Sequence, residues 1–279
     1  MAGDHVAAPA VGPASLTVGI IGLGAIGGAV ADAIAGGRAG QATLAAILLR
    51  DTAKAGNRAG PERLVTSDAA AFLSAPTDLI VEAAGHEALR AYGEAVLGAG
   101  KDLMLVSVGA LADDALWERL LAAARERRRR IHIVSGAIGG LDAIGAAAIG
   151  GLDEVEHTIR KPPHSVLPAA EADAVQRAGT PRELFAGSAR EAAPRYPENV
   201  NVALALSLAG IGMDRTRVRL VADPAVTRNT HDIVARGHFG ELRVTVQNIP
   251  TENPKTGRLT ALSVIKAIRD LTAAVTVGS

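Results

Sequence analysis

The sequence contains no cysteine, which excludes disulfides, thiolate metal sites and thiolate catalysis. Aromatic residues make up only 2% of the chain, and this argues against a protein that stacks single-stranded nucleic acid on aromatic rings. The formal net charge is zero, with 29 basic and 29 acidic residues, so nothing suggests a polyanionic partner. The basic run at residues 125–130 follows a predicted helix, where cations suit the helix dipole, and we interpret it as a solvated helix end.

Membrane and secretion signals are also missing from the sequence. Residues 1–15 have neither a basic start nor a long apolar run, so we predict a disordered tail and not a signal peptide. No apolar run approaches the length of a membrane span. We therefore expect a cytoplasmic protein with no membrane or nucleic-acid partner. Its 279 residues are enough for two domains.

The first half of the chain alternates strand-like and helix-like patterns. Apolar residues recur at four-residue spacing in Ile26, Val30 and Ile34, as in an amphipathic helix. Strands are predicted at residues 16–21, 44–49, 78–84, 103–108 and 131–134. This order predicts an α/β fold with a Rossmann-type, doubly wound parallel sheet over residues 16–136.

A glycine-rich motif, GLGAIG at residues 22–27, lies between the first predicted strand and the first predicted helix. In this position Gly22 permits a tight turn, Gly24 lets the backbone approach a pyrophosphate, and Gly27 lets helix and strand pack closely. The start of the helix, at Ala25 and Ile26, offers N–H groups to the phosphates. We therefore predict a dinucleotide site, in preference to a glycine turn without a ligand.

The choice of dinucleotide depends on the end of the second predicted strand. An acidic residue there usually holds the adenosine ribose, but in this chain Arg50 comes first and Asp51 follows. An arginine at this place can pair with the 2′-phosphate of NADP, and a solvent-facing loop charge is the alternative. We predict that the cofactor is NADP or NAD, with Arg50 among its contacts.

The second half predicts a smaller α+β domain over residues 137–254, which would bind substrate and mediate oligomerisation. Strand-like runs lie at residues 155–160, 218–221, 232–235 and 241–247. The Gly- and Ala-rich segment that begins at residue 135 is interpreted as a wall of the nicotinamide site or as a tight helix–sheet contact. The C-terminal segment 255–279, with a predicted helix at 259–271, is expected to pack back on the first domain.

A dehydrogenase needs a proton acceptor beside its substrate, and without cysteine the candidates are His, Lys, Tyr and the carboxylates. Among seven histidines we favour His231, which has polar neighbours at Thr230 and Asp232, although a structural histidine is the alternative. Asn199 and Asn201 precede an apolar helix. One of them is expected to cap the helix and the other to bind a ligand.

Five segments together resemble the L-aspartate dehydrogenase family: GLGAIG, DLIVEAAGHEAL, IVSGAIGGLDAI, RYPENVNVA and TRNTHDI. The resemblance covers nearly the whole chain, and the last three segments are specific to the family. It implies oxidation of L-aspartate to iminoaspartate with NAD or NADP, and a homodimer or homotetramer. Iminoaspartate then feeds NAD biosynthesis or hydrolyses to oxaloacetate and ammonia. The resemblance also implies that His231 is catalytic. It further implies that Ala137, through its backbone amide, and Asn201 contact the cofactor.

The two carboxylates of aspartate need fixed donors, for which the sequence offers Lys161, Arg160, Arg195 and Arg228 without choosing between them. We expect Asn199, Lys161 and Thr230 to contact the substrate, and we expect no metal site. Three alternatives stay open. They are an enzyme like dihydrodipicolinate reductase, one like homoserine dehydrogenase, and a non-catalytic dinucleotide sensor, which needs the glycine motif but not His231.

Overall fold

The computed structural model describes residues 15–58, 63–197, 200–249 and 257–278. The strands are β1 (Leu16–Ile21), β2 (Ala42–Leu48), β3 (Leu64–Thr66), β4 (Leu79–Glu82), β5 (Asp102–Leu105), β6 (Ile131–Ile133), β7 (Leu152–Lys161), β8 (Arg182–Ser188), β9 (Arg217–Ala222), β10 (Asn229–Gly237) and β11 (Gly240–Asn248). The helices are α1 (Ala25–Ala35), α2 (Ala69–Ser74), α3 (His86–Gly98), α4 (Asp114–Arg127), α5 (Leu141–Gly150), α6 (Ala169–Ala178), α7 (Ala189–Arg195), α8 (Asn201–Ala209) and α9 (Arg258–Asp270). None of these helices has the length and apolar character needed to cross a bilayer.

The first sheet has six parallel strands in the order β3-β2-β1-β4-β5-β6. Its central strands are apolar on both faces because helices cover both faces. On one face α1 and α9 pack together through Val30, Val264 and Ile268. On the other face α3 and α4 contribute Leu89 and Leu120 to the core. The predicted Rossmann-type, doubly wound sheet is confirmed.

The second sheet has five strands in the order β11-β10-β7-β9-β8. Strands β7 and β9 are parallel, and the other neighbours are antiparallel. The inner face is apolar, with Val155 and Ile233 packed against Ile144 of α5 and Leu206 of α8. The outer face carries ion pairs, among them Arg236 with Glu154. This sheet and its helices form the second, smaller α+β part of the fold.

Two strands and the end of a third differ from the sequence-based prediction. Strands β3 and β8, at the edges of their sheets, were not predicted because β3 has three residues and β8 mixes polar and apolar residues, of which only Phe185 is buried. The run at residues 103–108 was predicted as strand throughout, but β5 ends at Leu105. The apolar residues that follow enter a 3₁₀ turn over Val108–Ala112, where they are buried without belonging to the sheet.

The strand order fixes where a ligand can bind. From β1 the chain crosses towards β2 and β3, and from β4 it crosses towards β5 and β6. The topological switch point therefore lies between the carboxyl ends of β1 and β4, the place where open α/β sheets bind ligands. The linker after β6 and the start of α8 run past this edge and connect it to the inner face of the second sheet.

Candidate active site

The glycine motif forms the turn between β1 and α1. Gly22 has φ +90°, which favours glycine, and a Cβ on Gly27 would lie 2.0 Å from the carbonyl oxygen of Gly22. By contrast, no heavy atom lies within 4 Å of the position that a Cβ on Gly24 would take. The first N–H groups of α1, at Ala25 and Ile26, have no acceptor within the helix. Open space and unused donors thus meet at one point, which fits the pyrophosphate of a dinucleotide.

A cavity of about 360 Å³ opens beside this turn, between the two sheets. Its wall is formed by the loops after β4 and β5, the linker after β6, and the ends of β7, β10 and α8 that face them. The polar side chains in its lining are His86, Ser107, Ser135, Lys161, Asn201, Asn229, His231 and Thr260. Five predicted site residues lie together in this lining: Ile26, Ala137, Lys161, Asn201 and His231.

His231 lies on the inner face of β10 and is only 3% exposed. Its Nδ1 atom is 2.9 Å from Nε2 of His157, and its Nε2 atom is buried without a hydrogen-bond partner among the described residues. Burial, helped by the positive charge of Lys161, lowers the pKa of His231 to about 3. The ring is therefore neutral at working pH, and Nε2 is the nitrogen that remains for a ligand in the cavity.

His157, on β7, is fully buried against His231. Burial, and then the neighbouring ring, lowers its pKa well below the usual range. The sequence analysis did not select this residue, because it gave no sign that β7 and β10 are neighbours.

The two buried histidines predict acid instability. In the unfolded chain each takes up a proton near its ordinary pKa of about 6.5, whereas in the folded protein each stays neutral to much lower pH. Their contribution to stability is therefore complete above about pH 6.5 and is lost as the pH falls, at about 1.4 kcal/mol per pH unit for each histidine. Urea denaturation over a series of pH values measures this slope.

A pair of variants separates this effect from general acid unfolding. His157→Leu is expected to reduce the slope of the unfolding free energy against pH by about 1.4 kcal/mol per pH unit, the contribution of one histidine. His164→Leu, which removes an exposed histidine, is the control. Equal slopes in both variants and the wild type would mean that His157 does not titrate as its burial predicts.

The buried carboxyl group of Glu82 changes stability with pH in the opposite direction. Burial raises its pKa, so the folded protein binds this proton at a higher pH than the unfolded chain does.

Asn201 is held by two other elements of the fold. Its Oδ1 atom accepts a 2.7 Å hydrogen bond from the backbone N–H of Gly109 and lies 3.1 Å from Nε2 of His86. Because its oxygen is occupied, its amide NH₂ is the group left to donate into the cavity. The expected cap by an asparagine is not made by Asn201, since Val200 is the N-cap and no side chain caps the helix. Asn199 lies outside the described residues.

Glu82, at the end of β4, is 1% exposed and links two loops of the cavity wall. Its carboxylate accepts hydrogen bonds from the backbone N–H groups of Ala84 and Gly85, and from Ser107. Burial raises the pKa of this carboxyl group, although the hydrogen bonds oppose the shift. This role was not predicted, because Glu82 stands within an apolar run and most of its partners are backbone N–H groups.

Asn229 is not among the predicted site residues, but its Oδ1 atom is buried in the cavity lining without a partner among the described residues. The sequence did contain a signal for Asn229. Side chains alternate between the two faces of a strand, so residues 229 and 231 share a face. Thr230 therefore points to the other face. There it pairs across the sheet with Arg160, and its hydroxyl donates to the carbonyl of Arg228, so the structure does not place it in the cavity.

The remaining predicted residues divide between the cavity and the surface. Ala137 lines the cavity, and its carbonyl accepts a hydrogen bond from Asn248. Arg50 is exposed just after β2 and is not in the cavity lining. Of the basic candidates Lys161 lines the cavity, whereas Arg160 pairs with Asp232 on the outer face. Arg195, lying over the ring of Phe185, and Arg228 are not in the lining.

Two family models together span most of the chain. Residues 142–271 match the model described as aspartate dehydrogenase, C-terminal. Residues 22–134 match the model described as homoserine dehydrogenase, NAD binding domain.

Curated relatives carry the name L-aspartate dehydrogenase. The relative from Methanocella arvoryzae is 42% identical over 281 residues, which cover 94% of this chain and 99% of the relative. The relative from Brucella anthropi is 39% identical, over 92% of this chain and 96% of its own length. The relative from Pseudomonas aeruginosa is 47% identical, over 68% of this chain and 73% of its own length.

Solved structures agree with these sequence matches. The crystal structure of aspartate dehydrogenase from Thermotoga maritima superposes with a TM-score of 0.75 at 25% identity, covering 95% of this chain and 100% of that one. A hyperthermophilic archaeal homoserine dehydrogenase in complex with NADPH has the same fold, with a TM-score of 0.62 at 14% identity over 94% of this chain and 99% of that one.

Proposed function

Because the chain belongs to the L-aspartate dehydrogenase family, we propose that His231 is the acid–base residue of its reaction. The protein oxidises L-aspartate with NAD or NADP. One observation carries the assignment of His231: its Nε2 atom is buried, without a partner among the described residues, in the cavity beside the glycine turn. A His231 variant that loses turnover but still binds the cofactor is the test.

The residues around the cavity suit the removal of a proton from an amine. The bound dinucleotide supplies the hydride acceptor at its nicotinamide ring. Two acceptor atoms, Nε2 of His231 and Oδ1 of Asn229, suit the substrate ammonium group, which has only donors. His231 takes one proton from that group, and the neutral amine can then support departure of hydride from Cα. After His231 has released that proton to solvent, the same nitrogen can accept a proton from a water molecule that attacks the imine carbon.

The low pKa of His231 refers to the protein without substrate. L-aspartate brings two carboxylates and one ammonium group into the cavity, a net charge of −1, and negative carboxylates nearby raise the pKa of a histidine. The substrate therefore makes His231 a stronger base when it binds. Lys161, whose charge lowers the pKa of the histidine, is in turn neutralised by a carboxylate.

For the cofactor, we assign the pyrophosphate to Gly22, Gly24 and Gly27 and to the start of α1. The backbone amide of Ala137 and the side-chain amide of Asn201 are assigned to the nicotinamide end. The occupied oxygen of Asn201 supports this, because it leaves the NH₂ group for an acceptor such as the carboxamide oxygen of nicotinamide. We assign residues 16–136 to a dinucleotide-binding domain. Residues 137–254 are assigned to a substrate, catalytic and oligomerisation domain, which adds Ala137 and Asn201 to the nicotinamide end of the cofactor site.

Lys161 is proposed to bind a carboxylate of L-aspartate. Removing its charge with Lys161→Met is expected to raise the KM for L-aspartate by about 10- to 100-fold, since a hydrogen bond to a charged group contributes about 1.5–3 kcal/mol. The KM for the cofactor is expected to change little. Steady-state kinetics measure both values, with the exposed Lys266→Met as the matched control. An unchanged KM for L-aspartate would remove Lys161 from the substrate site.

Arg50 is proposed to favour NADP over NAD. It is exposed, and within the described part of the chain no hydrogen bond or ion pair engages its guanidinium. We expect Arg50→Ser to weaken NADP binding by about 10- to 100-fold and to leave NAD binding nearly unchanged. Titration of both oxidised cofactors measures the effect, and Arg38→Ser, an exposed arginine before β2, is the control. Equal weakening of both cofactors would contradict the assignment.

We also propose a homodimer or homotetramer located in the cytoplasm, whose product feeds NAD biosynthesis or hydrolyses to oxaloacetate and ammonia. Exposed apolar side chains on the second part of the fold, Ile149 on α5 and Phe239 in the β10–β11 turn, support self-association. Light scattering of the purified protein measures the oligomer size.

A further inference from the structure

His157 and His231 are diagonal neighbours on the inner face of the second sheet. In the register of β7 and β10, His231 lies opposite Ile159, and His157 lies opposite Ile233. The two rings stack with their centroids 5.1 Å apart and an angle of 22° between their planes. Nδ1 of His231 is 2.9 Å from Nε2 of His157, which is a hydrogen-bond distance. Both side chains are buried, so water does not replace this contact.

One proton lies in the hydrogen bond between the two neutral imidazoles. The nitrogen that carries it determines whether Nε2 of His231 faces the cavity as an N–H donor or as a lone pair. If His157 donates, His231 carries its own proton on Nε2 and cannot accept another there. If His231 donates from Nδ1, its Nε2 atom keeps a lone pair. Once His231 has gained a proton, both of its nitrogens are donors, so Nε2 of His157 has to be an acceptor.

The charges around the pair favour the second arrangement. Lys161 lies on the same face of β7 and lines the same cavity as His231. Its positive charge favours a lone pair, and disfavours an N–H, on the cavity side of the ring. The side chains that the neighbouring strands bring opposite the pair are apolar, Val218 on β9 and Val246 on β11. Of the helices that pack on this face, α8 contains no titratable residue, and α5 contains only Asp142, whose side chain is exposed.

We infer that His157 is a positioning residue whose Nε2 atom accepts the Nδ1–H of His231. This contact fixes the tautomer of His231 that has a lone pair on Nε2, and it holds the charged ring after a proton has been taken up. The inference rests on the proposed role of His231 as the base. His157 touches neither the substrate nor the cofactor, and it is not among the residues that line the cavity.

The tautomer is read directly from the full-length protein with its cofactor bound, labelled with ¹⁵N-histidine. Comparison with His231→Asn assigns the ring signals of His231. We expect the proton of His231 on Nδ1 in the wild type and a shift towards Nε2–H in His157→Leu. A wild-type proton on Nε2 would overturn the inference, and this measurement does not depend on how the leucine variant folds.

Kinetics give the second readout. His157→Leu is expected to lower kcat by about 10- to 100-fold, as for other residues that orient a catalytic group through a hydrogen bond. The ionisation of His231 in the pH profile of kcat is expected to move to lower pH, because the charged ring loses its acceptor. His157→Gln, which restores an acceptor oxygen, is expected to recover part of the rate, and His164→Leu is the control.

The outcomes separate this inference from the proposed function. Full turnover in His231→Asn would show that His231 is not the base, so the proposed role of His231 would fail whatever its tautomer. An inactive His231→Asn, combined with wild-type kcat and an unchanged pH profile in His157→Leu, would leave the function standing and overturn the role of His157.

Discussion

Replacing His231 with asparagine is expected to lower kcat for L-aspartate oxidation by about 100- to 10,000-fold, the usual contribution of a general acid–base residue. Asparagine is polar and smaller than histidine, so it fits the site on β10, but it cannot take up a proton at working pH. The substrate ammonium group then loses its proton to water alone, and little of the bound substrate is in the reactive amine form.

Cofactor binding is expected to survive this substitution. The glycine turn and Asn201, which we assign to the cofactor, are built by elements other than β10. The measurements are kcat at saturating substrates and a fluorescence titration with the reduced cofactor, with His164→Asn as the control on an exposed histidine. Turnover within about tenfold of the wild type would show that His231 is not the base. Loss of cofactor binding and thermal stability together would show a structural histidine instead.

Much of the fold was predictable because its signals are local. The central strands of the first sheet are apolar, and β1, β4 and β5 are each followed along the chain by a helix with a buried apolar stripe, so both element type and topology follow from the sequence. The glycine motif was equally local, since strand, turn and helix are consecutive. The edge strands β3 and β8 escaped prediction because β3 is short and β8 mixes polar and apolar residues without a clear pattern, whereas the edge strands β6 and β11 carry apolar or alternating patterns and were predicted.

The site was predictable only where one segment carries the chemistry. His231 stands among polar neighbours at the start of a strand, and this marked it. His157 is 74 residues away from it, and Gly109 is 92 residues from Asn201, so these contacts depend on strand register and helix placement. Glu82 escaped notice for a related reason. Its partners are mostly backbone N–H groups, which are the same for every residue type and leave no trace in a sequence.

Gly27→Ala is expected to destabilise the folded protein by about 3 kcal/mol or more, at the upper end of the cost of overpacking a core. A Cβ on Gly27 would lie 2.0 Å from the carbonyl oxygen of Gly22 and 3.0 Å from its carbonyl carbon. Both atoms belong to the backbone, so no side chain can rotate away. Helix α1 has to move off β1, and this displaces the N–H groups that we assign to the pyrophosphate.

Neighbouring glycines provide two controls for this prediction. A Cβ on Gly28, the next residue of α1, meets nothing closer than 3.4 Å, so Gly28→Ala is expected to be neutral or to stabilise the helix by up to about 1 kcal/mol. A Cβ on Gly24 has no neighbour within 4 Å, so Gly24→Ala is expected to keep wild-type stability and to bind NADP and NAD more weakly. Urea denaturation and cofactor titration of the three variants separate the two roles of the motif. If the midpoint of urea denaturation were the same for Gly27→Ala and the wild type, glycine would be required at this position for a reason other than the close packing of α1 on β1.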